Sequence, residues 1–215
     1  MVEVLNAFLL VYAGLFPIVN PVGGAPLFLG ATIQCTDDER HSLARRVGIN
    51  SFFLLLGSLI FGSAVLEFFG ITLPVVRIAG GLVVSVFGWT LLQNGGHLEN
   101  RSRATGSGAG PTDAFYPLTM PLTVGPGSIS VAITLGSQRQ RGLYHLAALA
   151  PPALGAALGL AAIALTVFVC YRFAERVVVA LGERGTNVLT QLSAFIMLCI
   201  GIQIIWNGLS QLLHP

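Results

Sequence analysis

Two short stretches hold the residue types that could do chemistry. The first runs Phe16-Pro17-Ile18-Val19-Asn20-Pro21-Val22-Gly23-Gly24-Ala25-Pro26. The second runs Tyr116-Pro117-Leu118-Thr119-Met120-Pro121-Leu122-Thr123-Val124-Gly125-Pro126-Gly127-Ser128. Proline lacks a backbone N–H and clashes with the carbonyl four residues back, so three prolines within ten residues do not suit one regular helix. The helix should unwind at each box, as a broken helix or a re-entrant loop. Unwound carbonyls attract a cation or ammonium, and a half-helix N-terminus attracts a carboxylate. Nearby side chains are small and neutral: Asn20, Thr119, Thr123, Ser128 and Ser130. Gly23, Gly24, Gly125 and Gly127 let a ligand approach the backbone closely. The chemistry implied is reversible binding of a small zwitterion, with open amides holding its carboxylate. The competing reading of each box is a proline kink that only packs against its neighbours. Two matched boxes favour binding.

The elements that must position these boxes follow from composition. The chain has 215 residues, 54% hydrophobic and 9% charged, with a mean hydropathy of +0.80. A soluble domain carries about 25% charged residues, so the class expected is a polytopic helical membrane protein. Disordered, coiled-coil, disulfide-scaffold and ordinary cytosolic classes are excluded. Charges separate six uncharged runs, at 4–36, 47–66, 78–98, 114–138, 142–171 and 185–215. A helix needs roughly 20 mostly apolar residues to cross a bilayer, which predicts six spans. The start, Met1-Val2-Glu3, lacks the basic region of a cleavable leader, so the first run is expected to stay as a span. Eight arginines (40, 45, 46, 101, 103, 172, 176 and 184) fall on one side, and Arg77, Arg139 and Arg141 on the other. Basic loops stay cytoplasmic, which places both termini outside. No nucleic-acid partner is implied. Cys35, Cys170 and Cys199 have no metal or disulfide spacing.

The chain also repeats itself. The prolines at 17, 21 and 26 recur at 117, 121 and 126, an offset of 100. A weaker echo relates Gly88, Asn94 and Gly95 to Gly201, Asn207 and Gly208 at an offset of 113. The second half thus carries about 13 extra residues between its first and third spans. The boundaries expected are a three-span repeat at 1–93, a Gly-rich cytoplasmic linker at 94–113 and a second repeat at 114–215. Three spans per half means the halves enter the membrane from opposite sides, as in secondary transporters.

Other polar residues have plainer readings. Asn50 and Ser51, and Gln203 with Asn207, line a path or bond between helices. Glu67 and Arg77 read as a surface ion pair or a protonatable gate. Gly81 with Ser85, and Gly155 with Gly159, have the spacing of close helix packing, which leaves a homo-oligomer open. Trp89 and Trp206 read as interfacial anchors. No Asp, Glu, Arg, Lys or His stands in mid-span, which argues against acid–base or nucleophilic catalysis and against side-chain metal ligation. No enzyme, metal or cofactor is therefore expected, while Na⁺ held by carbonyls and hydroxyls stays open.

The boxes FPIVNPVGGAPLFL (16–29) and YPLTMPLTVGPGSIS (116–130) resemble the signature boxes of the MarC family (UPF0056 type, SnatA-like), also called the six-span neutral amino-acid transporters. That resemblance covers nearly the whole chain and links it to the LysE-type exporters. It implies a bacterial or archaeal inner-membrane transporter of neutral amino acids such as glycine or alanine. An ion gradient, H⁺ or Na⁺, would drive it. It carries no family residue roles, so the site residues rest on the boxes alone. The alternatives are a facilitator or pore, an exporter of another small solute or drug, or a non-transporting scaffold.

Overall fold

Local sequence sets the helix ends. In the computed structural model, which describes residues 1–93, 113–140 and 146–213, the elements are α1 (Val2–Val19), α2 (Pro21–Ala31), α3 (Asp37–Phe68) and α4 (Leu73–Gln93), then a π-helical segment (Leu118–Thr123), α5 (Pro126–Gln140), α6 (Leu146–Arg172) and α7 (Ala174–Leu213). α3 starts at a capping box. The Thr36 N–H donates to the Glu39 carboxylate at 2.8 Å, and the Glu39 N–H donates to the Thr36 hydroxyl at 3.4 Å. Asp37, Asp38 and Glu39 in the first turn also suit the positive end of the helix dipole. α3 stops at Gly70, whose φ of 67° is open to glycine. There the Ile71 N–H returns to the Leu66 carbonyl at 2.9 Å and the Gly70 N–H to the Glu67 carbonyl at 3.0 Å. Gly182, at φ 65° and ψ 177°, breaks α7 into a short arm and a long one.

Five segments are long and apolar enough to cross a membrane: Val2–Val19, Asp37–Phe68, Leu73–Gln93, Pro151–Arg172 and Arg184–Leu213. Their outer faces expose Leu9, Phe53, Phe61, Val86, Leu165, Leu192 and Ile202, which suits lipid and not water. The sequence predicts six such spans; at the fourth run the described residues hold no single helix of that length. α5 has 15 residues, about 22 Å at 1.5 Å per residue, short of a core of about 30 Å. Its prolines keep the preceding segment out of the α-helix. The expected linker, including Asn94 and Gly95, lies outside the described residues apart from Asp113.

Small residues set how closely the helices approach. α4 packs antiparallel on the long arm of α7. A Cβ at Gly81 would stand 2.7 Å from the Gly201 carbonyl, and one at Gly88 would stand 2.9 Å from the Ala194 carbonyl. A Cβ at Gly208 would stand 2.9 Å from the Pro74 carbonyl. Gly155 and Gly159 of α6 press on the Val4 and Phe8 carbonyls of α1, and Gly136 of α5 presses on the Leu59 carbonyl of α3. Close packing is thus the role of the 81/85 and 155/159 pairs. Replacing Gly88 with Leu should force α4 off α7 and destabilise the fold by about 1–3 kcal/mol, as overpacking does. Gly57→Leu should be neutral, because nothing lies within 4 Å of a Cβ there. Thermal unfolding in detergent compares the two.

The expected Glu67–Arg77 ion pair does not form. The Arg77 guanidinium instead donates to the Gln211 side chain at 2.6 Å, because the start of α4 lies beside the end of α7. Gln203 donates to Asn207 at 3.0 Å on an exposed face one turn apart, so this pair lines no path. Asn50 donates to the Thr119 hydroxyl at 3.4 Å and ties α3 to the π segment.

Candidate functional site

Both boxes break at the residue before their second proline. A residue preceding proline is pushed out of the α region. Asn20, before Pro21, takes φ 46° and ψ 58°, a left-handed conformation that Asn tolerates better than most residues. Met120, before Pro121, takes φ −120° and ψ 122° inside the π segment.

Asn20 ends α1 and starts α2 at once. Its N–H donates to the Phe16 carbonyl at 2.9 Å, and its own carbonyl accepts the Gly24 N–H at 2.9 Å. Its side-chain oxygen accepts the Gly23 N–H at 3.2 Å, and its side-chain nitrogen donates to the Met197 sulfur at 3.4 Å. Box 1 breaks at a single residue, with Pro17 inside α1 and Pro26 inside α2. One expectation is corrected here: the Gly23 amide is not open to a ligand, because the Asn20 side chain caps it.

Box 2 unwinds further, and its hydroxyls repair it. The Thr119 hydroxyl donates to the Ala114 carbonyl, and the Thr123 hydroxyl to the Leu118 carbonyl, both at 2.7 Å. The Val124 N–H donates to the Thr119 carbonyl at 2.8 Å in the wider π register. Thr119 is fully buried. Its hydroxyl adds a second bond to a carbonyl that already accepts the Thr119 N–H at 3.0 Å. After Pro126 the chain is α-helical again. There the Ser128 hydroxyl donates to the Gly125 carbonyl at 3.0 Å, and the Ser130 hydroxyl to the Val76 carbonyl of α4 at 2.9 Å.

A cavity of about 90 Å³ lies between the boxes. Asn20, Gly23, Gly24, Thr123, Gly125, Gly127 and Ser128 line it; of the eight residues expected, Thr119 is the one that does not. Pro121 and Pro126 also face it. The rest of the wall is apolar, from Ile18, Leu27, Val84, Phe87, Leu91 and Met197 among others, and no charged residue lines it. The volume is small beside the roughly 300–1,000 Å³ of pockets for drug-sized ligands. Among the described residues, no group of three His, Cys, Asp or Glu could hold a metal.

Sequence reasoning missed the α4 wall, Met197 and Tyr171. Tyr171, fully buried, stacks on Phe28 with ring centroids 4.5 Å apart. Its hydroxyl lies 2.9 Å from the Thr123 hydroxyl. Thr123 gives its own proton to Leu118, so Tyr171 donates. A Cβ on Gly24 would stand 2.7 Å from the same hydroxyl. Tyr171 therefore locks α2 to box 2 behind the cavity. At the end of an apolar run, beside Arg172, it reads in sequence as one more interfacial aromatic. Gly24→Ala should lower the melting temperature, and Tyr171→Phe in the same chain should restore part of the loss. Equal losses with and without the hydroxyl would contradict this packing.

A profile described as "MarC family integral membrane protein" matches residues 5–213. A UPF0056 membrane protein of Pyrococcus abyssi is 30% identical over 209 residues, covering 97% of this chain and 97% of the relative. One of Bacillus subtilis is 30% identical, covering 93% and 92%. The "UPF0056 inner membrane protein MarC" of Salmonella typhimurium is 30% identical, covering 99% and 98%. No solved structure matches the chain.

Proposed function

Because the chain belongs to the MarC family of integral membrane proteins, we propose that it is a secondary transporter of small neutral amino acids of the glycine and alanine kind. It works in the inner (plasma) membrane with H⁺ or Na⁺ as the coupling ion. The observation that carries this reading is the small uncharged cavity between the two matched breaks, lined by both boxes. Asn20 and Ser128 offer the polar groups best placed for a zwitterion, and the small apolar-walled space favours a small side chain. The lack of an ionisable group in the lining favours binding and passage over catalysis.

The architecture proposed with it is six membrane crossings in two inverted halves. α1 with α2 forms the first crossing, and the π segment with α5 the fourth. Three observations support the repeat. Asn20 and Met120 are the paired positions at the offset of 100. At the offset of 113, Gly81 pairs with Ala194 and Gly88 with Gly201; the contacts exchange these partners, Gly81 meeting Gly201 and Gly88 meeting Ala194, as a twofold axis requires. The packing of α1 on α6 is likewise echoed by that of α5 on α3. The short arm of α7 before Gly182 has no counterpart between α3 and α4, and accounts for much of the extra length in the second half. Arg40 pairs with Glu175 at 3.1 Å, which gathers Arg40, Arg172 and Arg176 at one end. This supports a cytoplasmic basic end and outward termini. The Phe28–Tyr171 stack stands between Gly24 and that end. Alternating access would open the cavity past this plug on one side, and past the α4–α7 crossing on the other.

Proteoliposomes test the reading. Labelled alanine should accumulate when an inward proton or sodium gradient is imposed, and the level should collapse with an ionophore. Equilibration without accumulation identifies a facilitator. No flux of any small neutral amino acid in either direction sinks the proposal.

A further inference from the structure

Between α3 and α6 a second concavity, of about 460 Å³, opens on the outside of the bundle. Gly48, Ala161 and Ala164 form its floor. The helices approach so closely that a Cβ on Gly48 would stand 3.1 Å from the Ala164 carbonyl and 3.3 Å from the Phe168 Cβ. Phe52, Leu165 and Phe168 are among the walls, and Arg45 closes one end. Arg45 is exposed and has no ion pair or hydrogen bond among the described residues. The Arg172 guanidinium lies 5.9 Å from the Phe168 ring centroid at the same end. The Arg40–Glu175 pair ties the start of α3 to the start of α7 near that end.

We propose that this groove binds one anionic phospholipid, with an acyl chain along the floor between Phe52 and Phe168 and its phosphate between Arg45 and Arg172. The chemistry of both parts matches. From Arg45 to Phe52 the groove follows about two turns of α3, roughly 10 Å of apolar slot, which suits a hydrocarbon chain and offers a polar solute almost nothing. The guanidinium fork fits phosphate oxygens, and an unpaired arginine at headgroup level favours anionic lipid. The cavity between the boxes has the opposite character, small and without charge, so the two sites take different ligands. Nothing in this site depends on what the protein transports.

Native mass spectrometry of the detergent-purified protein, exposed to mixed micelles of phosphatidylglycerol and phosphatidylcholine, tests it. One phosphatidylglycerol per chain should be retained in preference to phosphatidylcholine. Arg45→Gln should reduce that retention about fivefold, the equivalent of about 1 kcal/mol per basic residue near the surface. Arg172→Gln should act in the same direction, while Arg77→Gln, at the opposite end, should have no effect. Added phosphatidylglycerol should raise the melting temperature of the wild-type protein, and inorganic phosphate should not. Equal retention of both lipids overturns the proposal, as does retention unchanged in the double variant carrying Arg45→Gln and Arg172→Gln, or equal protection by phosphate. Should the double variant fail to fold, the headgroup preference of the wild-type protein still decides.

Discussion

Replacing Asn20 with glycine should lower alanine flux at least about tenfold while leaving the fold intact. Glycine adopts φ 46° freely, and at the start of a helix it replaces Asn at a cost of only a few tenths of a kcal/mol. What disappears is the amide that faces the cavity beside Met197. A hydrogen bond to a charged group contributes about 1.5–3 kcal/mol, and each 1.4 kcal/mol is a factor of ten. The loss should appear in flux and not in melting temperature. Thr119→Val should do the reverse. Its hydroxyl serves the Ala114 carbonyl outside the cavity, so stability should fall with little change in the concentration dependence of uptake. Wild-type flux from Asn20→Gly would remove Asn20 from the binding set.

Tyr171→Ala should be the most damaging core substitution, at about 3–5 kcal/mol, the range for truncating a buried aromatic. The side chain is fully buried against Phe28 and reaches Thr123 and Gly24 at once. Its removal would join a new void to the cavity between the boxes and leave α2 free to move against box 2. Tyr171→Phe isolates the hydroxyl. It should cost only about 0.5–1.5 kcal/mol, one neutral hydrogen bond, because Thr123 keeps its bond to Leu118. Denaturation in mild detergent, followed by near-ultraviolet circular dichroism, reads both variants. Near-equal stability of the two would mean that the stack does not hold the boxes together.

Much of the fold was legible because charge is costly in a membrane. Uncharged runs map onto the long helices, and the prolines mark where the backbone departs from them. Breaks within the two boxes were legible too, although Phe16 and Ala25 also precede proline and stay helical. Their extent was not, because it depends on how each orphaned backbone group finds a partner. Asn20 settles box 1 alone, with its own carbonyl and amide. Thr119 and Thr123 settle box 2 by bonding five residues back. Tyr171 and Arg77 meet partners 48 and 134 residues away, and no local pattern encodes such pairings. The α4 wall of the cavity was hidden for a related reason: Val84, Phe87 and Leu91 look like any lipid-facing residues until α2 and box 2 pack beside them.

The most direct test of the site is a thiol placed in it. Ser128→Cys on a background with Cys35, Cys170 and Cys199 replaced by Ala puts a small reactive group in the cavity wall. Methyl methanethiosulfonate should modify it in the reconstituted protein. Alanine or glycine should slow that modification in a saturable way, whereas leucine and lysine should not. A modification rate unchanged by any small neutral amino acid would contradict the cavity between the two boxes as the place where substrate binds.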